Sequence, residues 1–203
     1  MITLTIEKLD FELENLKSKS LIFESNQSYK DSYIEFINYF KNKDGFFKND
    51  LIIGSHFVYG WMPTILTLNL NEDSEGYITC LLFKVKNGNY MLNEEELEKI
   101  KKCINNSMVG TSKLLHFINP EKYAIWDSKV FYYFYPNRNS TAGIEKPKLY
   151  LEYLKILTDI TLQNDFDILY SKIVEFLGLN YEISKLRAIE SLIFEVMRNR
   201  KIS

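Results

Sequence analysis

The sequence predicts a mainly α-helical protein, a helical bundle forming a single domain over residues 1–203. Apolar residues recur at the spacing of a helix face along most of the chain, which is the main sequence signal for amphipathic helices. Residues that start or stop helices stand at matching places: Asn93 precedes one of these segments, Pro147 opens another, and Gly178 follows a third. With 203 residues, 46% of them apolar, the chain can bury a core without disulfides or a metal.

The helical segments have recognisable ends. Asn93 is a predicted N-cap, because Glu96 stands three residues later at the capping-box position. Pro147 suits the first turn of a helix, and Gly178 suits the residue after the last turn. The predicted helices of this kind are 28–39, 94–104, 147–160, 165–177 and 182–198. The last of them has a predicted buried stripe of Ile183, Leu186, Ile189, Ile193 and Val196.

Residues 77–85 are ambiguous. They are rich in β-branched and aromatic residues and are followed by Asn87-Gly88, a common hairpin turn. The sequence is therefore compatible with a small β-hairpin near residues 77–92 and equally with a buried helix. Two polar segments, 71–76 and 136–143, have the composition of loops.

Composition excludes several protein classes. No stretch of 18 or more apolar residues occurs, so we expect neither a membrane-spanning helix nor a membrane partner. The start of the chain lacks the basic and apolar regions of a secretory signal, and two cysteines, Cys80 and Cys103, fit a reducing compartment. We therefore expect a cytoplasmic protein. No phosphate-binding glycine motif is present, and the two cysteines and two histidines lack zinc-site spacing.

The charge balance is slightly acidic, with a net charge of −2 and a pI of about 5.8. Proteins that coat nucleic acids nonspecifically are strongly basic, so that class is disfavoured. A local basic face is compatible with this balance, although a solvated surface is the alternative explanation for its lysines. The lysines concerned are Lys84, Lys86, Lys99, Lys101, Lys102, Lys113 and Lys129.

The most informative segment is 104–134, within a predicted element of helix, hairpin and helix at about 94–135. The pattern predicts that one helix ends near residue 105, that a turn contains Val109-Gly110, and that a second helix opens at Thr111 or Ser112. Pro120 ends this helix. A short apolar run then leads to Asp127, which opens a third helix, and helices at about 147–200 complete the chain.

This segment resembles the helix-hairpin-helix DNA glycosylase superfamily, in particular its 8-oxoguanine-glycosylase-like branch. The matching residues are Val109-Gly110, then Lys113, then Asp127 after Ala124-Ile125-Trp126. The resemblance implies that Lys113 and Asp127 are catalytic. It also implies that Val109, Gly110, Thr111 and Ser112 bind duplex DNA, whose damaged or modified base is excised.

The chemistry is consistent with these residue types. A lysine near a helix N-terminus and beside apolar walls has a lowered pKa, which frees its amine to attack a sugar carbon and form a Schiff base. A neighbouring Asp can accept protons and stabilise an oxocarbenium-like centre. A base that leaves the DNA stack needs aromatic walls. The candidates for this base pocket are Trp126, His116, Phe117 and Trp61.

Structural roles are open for each of these residues. Asp127 before Ser128 is also a typical helix N-cap. Lys113 fits a solvated surface position, His116 a half-buried, hydrogen-bonded position, and Trp61 the core. The alternative to a core position is that Trp61 stands near a helix start and lines a cleft.

Arg187 and Glu190 stand three residues apart on the last predicted helix, and a salt bridge that helps pack this helix is favoured over contact with substrate.

The expected activity is that of a DNA glycosylase, a hydrolase of base excision, with abasic-site lyase activity if Lys113 reacts. The alternatives are a DNA-binding helix-hairpin-helix module without catalysis and a helical protein related to phage defence. No cofactor is expected, since the four-cysteine iron–sulfur ligation found in some members of the family requires more than Cys80 and Cys103.

Overall fold

A computed structural model describes residues 3–19, 27–62, 64–70, 72–88, 90–137 and 140–200. Within these ranges the chain forms ten α-helices and a single isolated antiparallel bridge, between Leu68 and Ile104, and no sheet. The prediction of a mainly α fold is therefore confirmed. The helices are α1 (Ile6–Ser18), α2 (Gln27–Lys41), α3 (Lys48–Gly60), α4 (Glu72–Lys86), α5 (Glu94–Cys103), α6 (Met108–Ile118), α7 (Ser128–Phe134), α8 (Pro147–Thr161), α9 (Phe166–Leu177) and α10 (Lys185–Asn199).

The predicted helix ends agree with the structure where local hydrogen bonds determine them. The side chain of Asn93 accepts from the N–H of Glu96 at 3.0 Å, and the Glu96 carboxylate accepts from the N–H of Asn93 at 2.9 Å. Pro147 occupies the first turn of α8. Gly178 ends α9 in the left-handed conformation, with φ of +56°, which glycine adopts without steric cost.

The possibility of a β-hairpin near 77–92 is wrong. Residues 77–86 form most of α4, and Ile78, Leu81, Leu82 and Val85 make one buried face at helical spacing. Asn87 and Gly88 follow the end of this helix rather than forming a hairpin turn, and the Gly88 N–H bonds the carbonyl of Val85.

The loop prediction for 71–76 is also wrong for residues 72–76, which open α4, while Asn71 lies outside the described residues. Turns occupy the described part of 136–143, as predicted, and residues 138–139 lie outside it. Helices α1 and α3 lie outside the predicted segments.

The turn before α6 differs from the prediction. The helix begins at Met108, not at Thr111 or Ser112, because the Ser107 hydroxyl accepts a hydrogen bond from the N–H of Gly110 and so caps it. The backbone reverses at Asn105 and Asn106, both with φ near +50°. Asparagine tolerates this left-handed conformation better than most residues. Val109 and Gly110 therefore belong to the first turn of α6.

The helices pack around two central ones. Helix α6 contacts α2, α3, α4 and α5, whereas α10 contacts α1, α7, α8 and α9. The buried apolar residues of both groups form one continuous core. None of the described helices is both long and apolar enough to cross a membrane.

Candidate active site

A cavity of about 790 Å³ lies where these two groups of helices meet. We call it the Lys113 cavity. It is lined by residues of α2, α6, α9 and α10, the end of α3 and the start of α7, so neither group forms it alone. Ligand sites in proteins commonly have this size and occur where separate structural units meet.

Lys113 is the charged residue on a helix that is otherwise almost wholly buried. Among the eleven residues of α6, all except Val109 and Lys113 are buried, and both of these line the Lys113 cavity. Within the described ranges, no hydrogen bond or ion pair is made by the Lys113 side chain. This half-buried position differs from that of a solvated surface lysine. It also lies in the second turn of α6, since the helix begins at Met108.

Asp127 lines the same cavity and caps α7. Its Oδ1 accepts a hydrogen bond from the N–H of Val130 at 2.9 Å, so the N-cap role expected from the sequence is confirmed. No partner for Oδ2 lies in the described part of the chain, which leaves this oxygen for a ligand.

Lys113 and Asp127 are brought together by the residues that precede them. The Ser112 hydroxyl accepts a hydrogen bond from the N–H of Trp126 at 3.0 Å and lies 3.3 Å from its carbonyl oxygen. Ser112 and Trp126 are both fully buried. The start of the α7 segment is thereby held against α6.

Burial is the main electrostatic influence on Lys113. It lowers the pKa of the ammonium group below the ordinary value, while the negative charges of Asp127 and Glu190 partly oppose this effect. A lysine with a lowered pKa has a larger fraction of free amine near neutral pH.

An ion pair between Arg187 and Glu190 also lines the cavity, as the helical spacing predicted. Glu190 is only 2% exposed. Burial raises the pKa of Glu190 to about 7. The positive charge of Arg187 lowers this pKa, whereas the negative charge of Asp127 raises it further. The guanidinium of Arg187 lies 5.2 Å from the ring centre of Tyr33.

Aromatic side chains form one wall of the cavity. Trp61 lies at the end of α3, rather than near a helix start, and donates a hydrogen bond from its indole N–H to the Ser32 hydroxyl at 2.9 Å. Its ring stacks on Tyr33 at 6.1 Å and meets Tyr29 edge-on at 5.4 Å, and Tyr33 in turn stacks on Tyr181. The three tyrosines were not predicted as site residues, because α2 and the segment before α10 are far in sequence from Lys113 and Asp127.

The other three predicted walls of the base pocket do not line the Lys113 cavity. Trp126 is fully buried and donates from its indole N–H to the carbonyl of Ile144 at 2.9 Å. Phe117 packs edge-on against Trp61 and lines a second cavity of about 680 Å³. His116 is fully buried, and burial lowers its pKa to about 3.

The hydrogen bonds of His116 define which ring nitrogen carries the proton. Nδ1 lies 2.8 Å from the carbonyl oxygen of Tyr123, which only accepts, so Nδ1 donates. Nε2 therefore accepts from the Tyr33 hydroxyl, 3.0 Å away. Through this bond to Tyr33, His116 supports the aromatic wall. Its role is thus the structural, hydrogen-bonded one that the sequence analysis gave as the alternative to a wall of the base pocket.

Only one of the four predicted DNA-binding residues lies at the cavity. Val109 lines the cavity, whereas Gly110, Thr111 and Ser112 are buried within the protein. A Cβ atom at Gly110 would lie 2.9 Å from the Tyr59 hydroxyl, so any larger residue there would displace the Tyr59 side chain.

The first amide of α6 also has a partner within the protein. The N–H of Met108 donates to the carboxylate of Glu145, and Lys101 donates to the carbonyl of the same residue.

Positive side chains outnumber negative ones around the cavity. The charged lining residues are Lys30, Lys113, Lys129, Arg187, Arg198, Asp127, Glu190 and Glu195. Lys129 lies with its ammonium group 4.6 Å from the ring centre of Phe194. In the described ranges, no group of three or more His, Cys, Asp or Glu side chains is arranged to hold a metal ion.

Comparison of the chain with protein-family models, with curated proteins and with solved structures gave no match.

Proposed function

We propose that the protein is a DNA glycosylase with abasic-site lyase activity, which takes a flipped damaged or modified base into the Lys113 cavity. One observation carries the proposal: a carboxylate shares a cavity with a half-buried lysine whose side chain has no hydrogen-bond or ion-pair partner in the described part of the chain. Lys113 is the nucleophile and Asp127 is the proton acceptor. The two residues come from segments that the sequence places 14 positions apart.

The proposed reaction begins at the sugar of the flipped nucleotide. The free amine of Lys113 attacks C1′, the C1′–N glycosidic bond breaks, and its electron pair leaves with the base. Asp127 stabilises the positive charge that develops on the sugar and then takes a proton from the newly bonded Lys113 nitrogen. The nitrogen lone pair then forms the C=N bond of a Schiff base between the lysine and C1′ as the C1′–O4′ bond breaks and the sugar ring opens. The electron pair of the broken bond goes to O4′, which takes the proton back from Asp127.

The walls of the cavity suit a nucleotide. Trp61 and Tyr181, which stack on the buried Tyr33, offer aromatic rings for a base that has left the stack, and such stacking contributes about 1–3 kcal/mol per base. Lys30 and Lys129 lie at the same cavity and carry charges complementary to the DNA phosphates.

This arrangement favours the cavity over the turn before α6 as the DNA contact. The amide at the start of α6 already bonds Glu145, which would compete with a phosphate for this position.

Borohydride trapping tests the proposal. The protein is mixed with duplexes that carry an abasic site, 8-oxoguanine or uracil, because borohydride reduces a Schiff base to a stable amine. We expect a covalent protein–DNA band for the wild type and for Lys122→Gln, and none for Lys113→Gln. Lys122 is the matched control because it is exposed and lies outside the Lys113 cavity.

The other outcomes support the alternatives. Salt-sensitive DNA binding without trapping or base release indicates a binding module without catalysis. Absence of both binding and trapping contradicts any role on DNA.

A further inference from the structure

The Arg187–Glu190 pair is more than a contact that packs α10. Both residues line the Lys113 cavity, on the helix that faces Lys113 and Asp127. Within the described residues, the Arg187 guanidinium bonds only Oε2 of Glu190, and Oε1 has no partner. In this nearly inaccessible carboxyl group, Arg187 thus binds Oε2, and Oε1 remains available to a ligand.

A base that leaves a sugar carries away the electron pair of the C1′–N bond and must take up a proton. Asp127 is engaged at the sugar in the proposed function, where it accepts a proton rather than supplying one. Glu190 lines the same cavity and interacts electrostatically with Lys113 and Asp127, and its environment differs from that of Asp127, which caps a helix. Two carboxyl groups in different environments typically divide the acid and base roles.

We propose that Glu190 donates a proton from its carboxyl group to the departing base, and that Arg187 stabilises the carboxylate that remains. The inference rests on the proposed function. In this step the electron pair of the glycosidic bond moves to the base nitrogen, the proton moves from Glu190 to the base, and Glu190 becomes an anion. Solvent returns the proton to Glu190 after the base leaves.

The surroundings of Glu190 favour the protonated form near neutral pH. Burial raises its pKa to about 7, which lies in the range required of a general acid at neutral pH. The charged or titratable groups near it are Arg187 on its own helix, Lys113 on α6, Asp127 before α7, Tyr33 on α2 and Tyr153 on α8. Helix α9 presents the uncharged Leu177 to the cavity.

The test separates base release from Schiff-base formation. In single-turnover reactions with 8-oxoguanine and uracil duplexes, we expect Glu190→Gln to slow base release by about 100-fold or more. Trapping on a preformed abasic duplex keeps the wild-type rate, because no base departs there. The control is Glu175→Gln, which changes an exposed carboxyl group of α9 outside the Lys113 cavity and keeps the wild-type rate of base release.

The pH profile provides a second measurement. Base release by the wild type falls as the pH rises above about 7, because the protonated fraction of Glu190 falls. Glu190→Gln lacks this decline. A Glu190→Gln variant with the wild-type rate and profile overturns the inference while leaving the proposed function intact, and a wild type that neither releases a base nor traps overturns both.

A measurement on the free protein covers the case in which trapping occurs but neither test base is released. Carbon-13 NMR of glutamate carboxyl groups follows the titration, and Glu190→Gln identifies the signal that disappears. We expect a midpoint near 7. A midpoint of about 5 or lower, the ordinary range for glutamate, overturns the inference.

Discussion

Ser112 accepts a hydrogen bond from the backbone N–H of Trp126 at 3.0 Å, across 14 positions of the chain. Lys113 and Asp127 are the next residues after these two. The hydrogen bond therefore connects the backbone segments that carry the proposed nucleophile and the proposed proton acceptor, and it does so in a fully buried position.

Removal of the Ser112 hydroxyl is expected to impair the site. Ser112→Ala leaves the buried N–H of Trp126 without an acceptor, which lowers the free energy of unfolding by about 1–3 kcal/mol. Trapping on abasic DNA slows as Lys113 and Asp127 lose their relative placement. The control is Thr111→Val, because the Thr111 hydroxyl bonds only the carbonyl of Ser107 within the described residues. Equal trapping rates for the two variants would contradict the positioning role.

Two substitutions at Asp127 separate its cap from its chemistry. Asp127→Asn keeps an oxygen that can accept from the N–H of Val130, so the free energy of unfolding changes little. Asp127→Ala loses the cap and costs about 1 kcal/mol. Both variants slow base release by about 100-fold or more if Asp127 acts as a base. Urea unfolding and single-turnover assays measure the two effects, and full activity in Asp127→Asn would limit the residue to capping.

Lys113 is expected to lower the stability of the fold. Because burial lowers its pKa in the folded protein, the unfolded chain binds more protons between that lowered pKa and the ordinary value of 10.5. Stability therefore rises with pH across this interval, and the unfavourable contribution of Lys113 is largest at pH values below it.

Lys113→Met removes this contribution. We expect the variant to be about 0.5–2 kcal/mol more stable at pH 7, with an increase in Tm of about 2–4 °C per kcal/mol, and to be inactive in trapping. Thermal unfolding of both proteins between pH 7 and 10 measures the difference, which narrows as the pH rises. A less stable Lys113→Met would show that the lysine is structural.

His116 makes the fold sensitive to acid. Burial lowers its pKa from 6.5 to about 3, so below pH 6.5 the unfolded chain takes up a proton that the folded protein does not. Its contribution to stability falls by up to about 1.4 kcal/mol per pH unit as the pH decreases from 6.5 towards 3. We expect His116→Gln to be less stable at pH 7 but to lose less stability between pH 6.5 and 4.5.

Urea unfolding across this range measures the effect. His56→Gln is the control, because His56 is exposed, and it keeps the wild-type dependence on pH. If the wild type and His116→Gln lose stability in parallel, the buried neutral histidine is not a source of acid sensitivity.

The sequence by itself determined the fold class and many helix ends. Asn93, Pro147 and Gly178 act through bonds and backbone angles within a few residues of themselves, so their effects can be predicted locally. The same holds for the Asp127 cap and the Arg187–Glu190 pair, which depend on helical spacing alone. The choice of Lys113 and Asp127 as candidates also came from the sequence.

Only the tertiary structure decided what surrounds these residues. Residues 77–85 are rich in strand formers but become helical because one face of α4 is buried in the core. Trp126, expected in the pocket, lies wholly in the core, whereas Tyr33 forms the cavity wall and bonds His116 from 83 positions away. The spacing of apolar residues in the sequence indicates which face of a helix is apolar. Which distant side chains meet depends on how all the helices pack, and this packing placed Lys113, Asp127, Glu190 and an aromatic wall around one cavity.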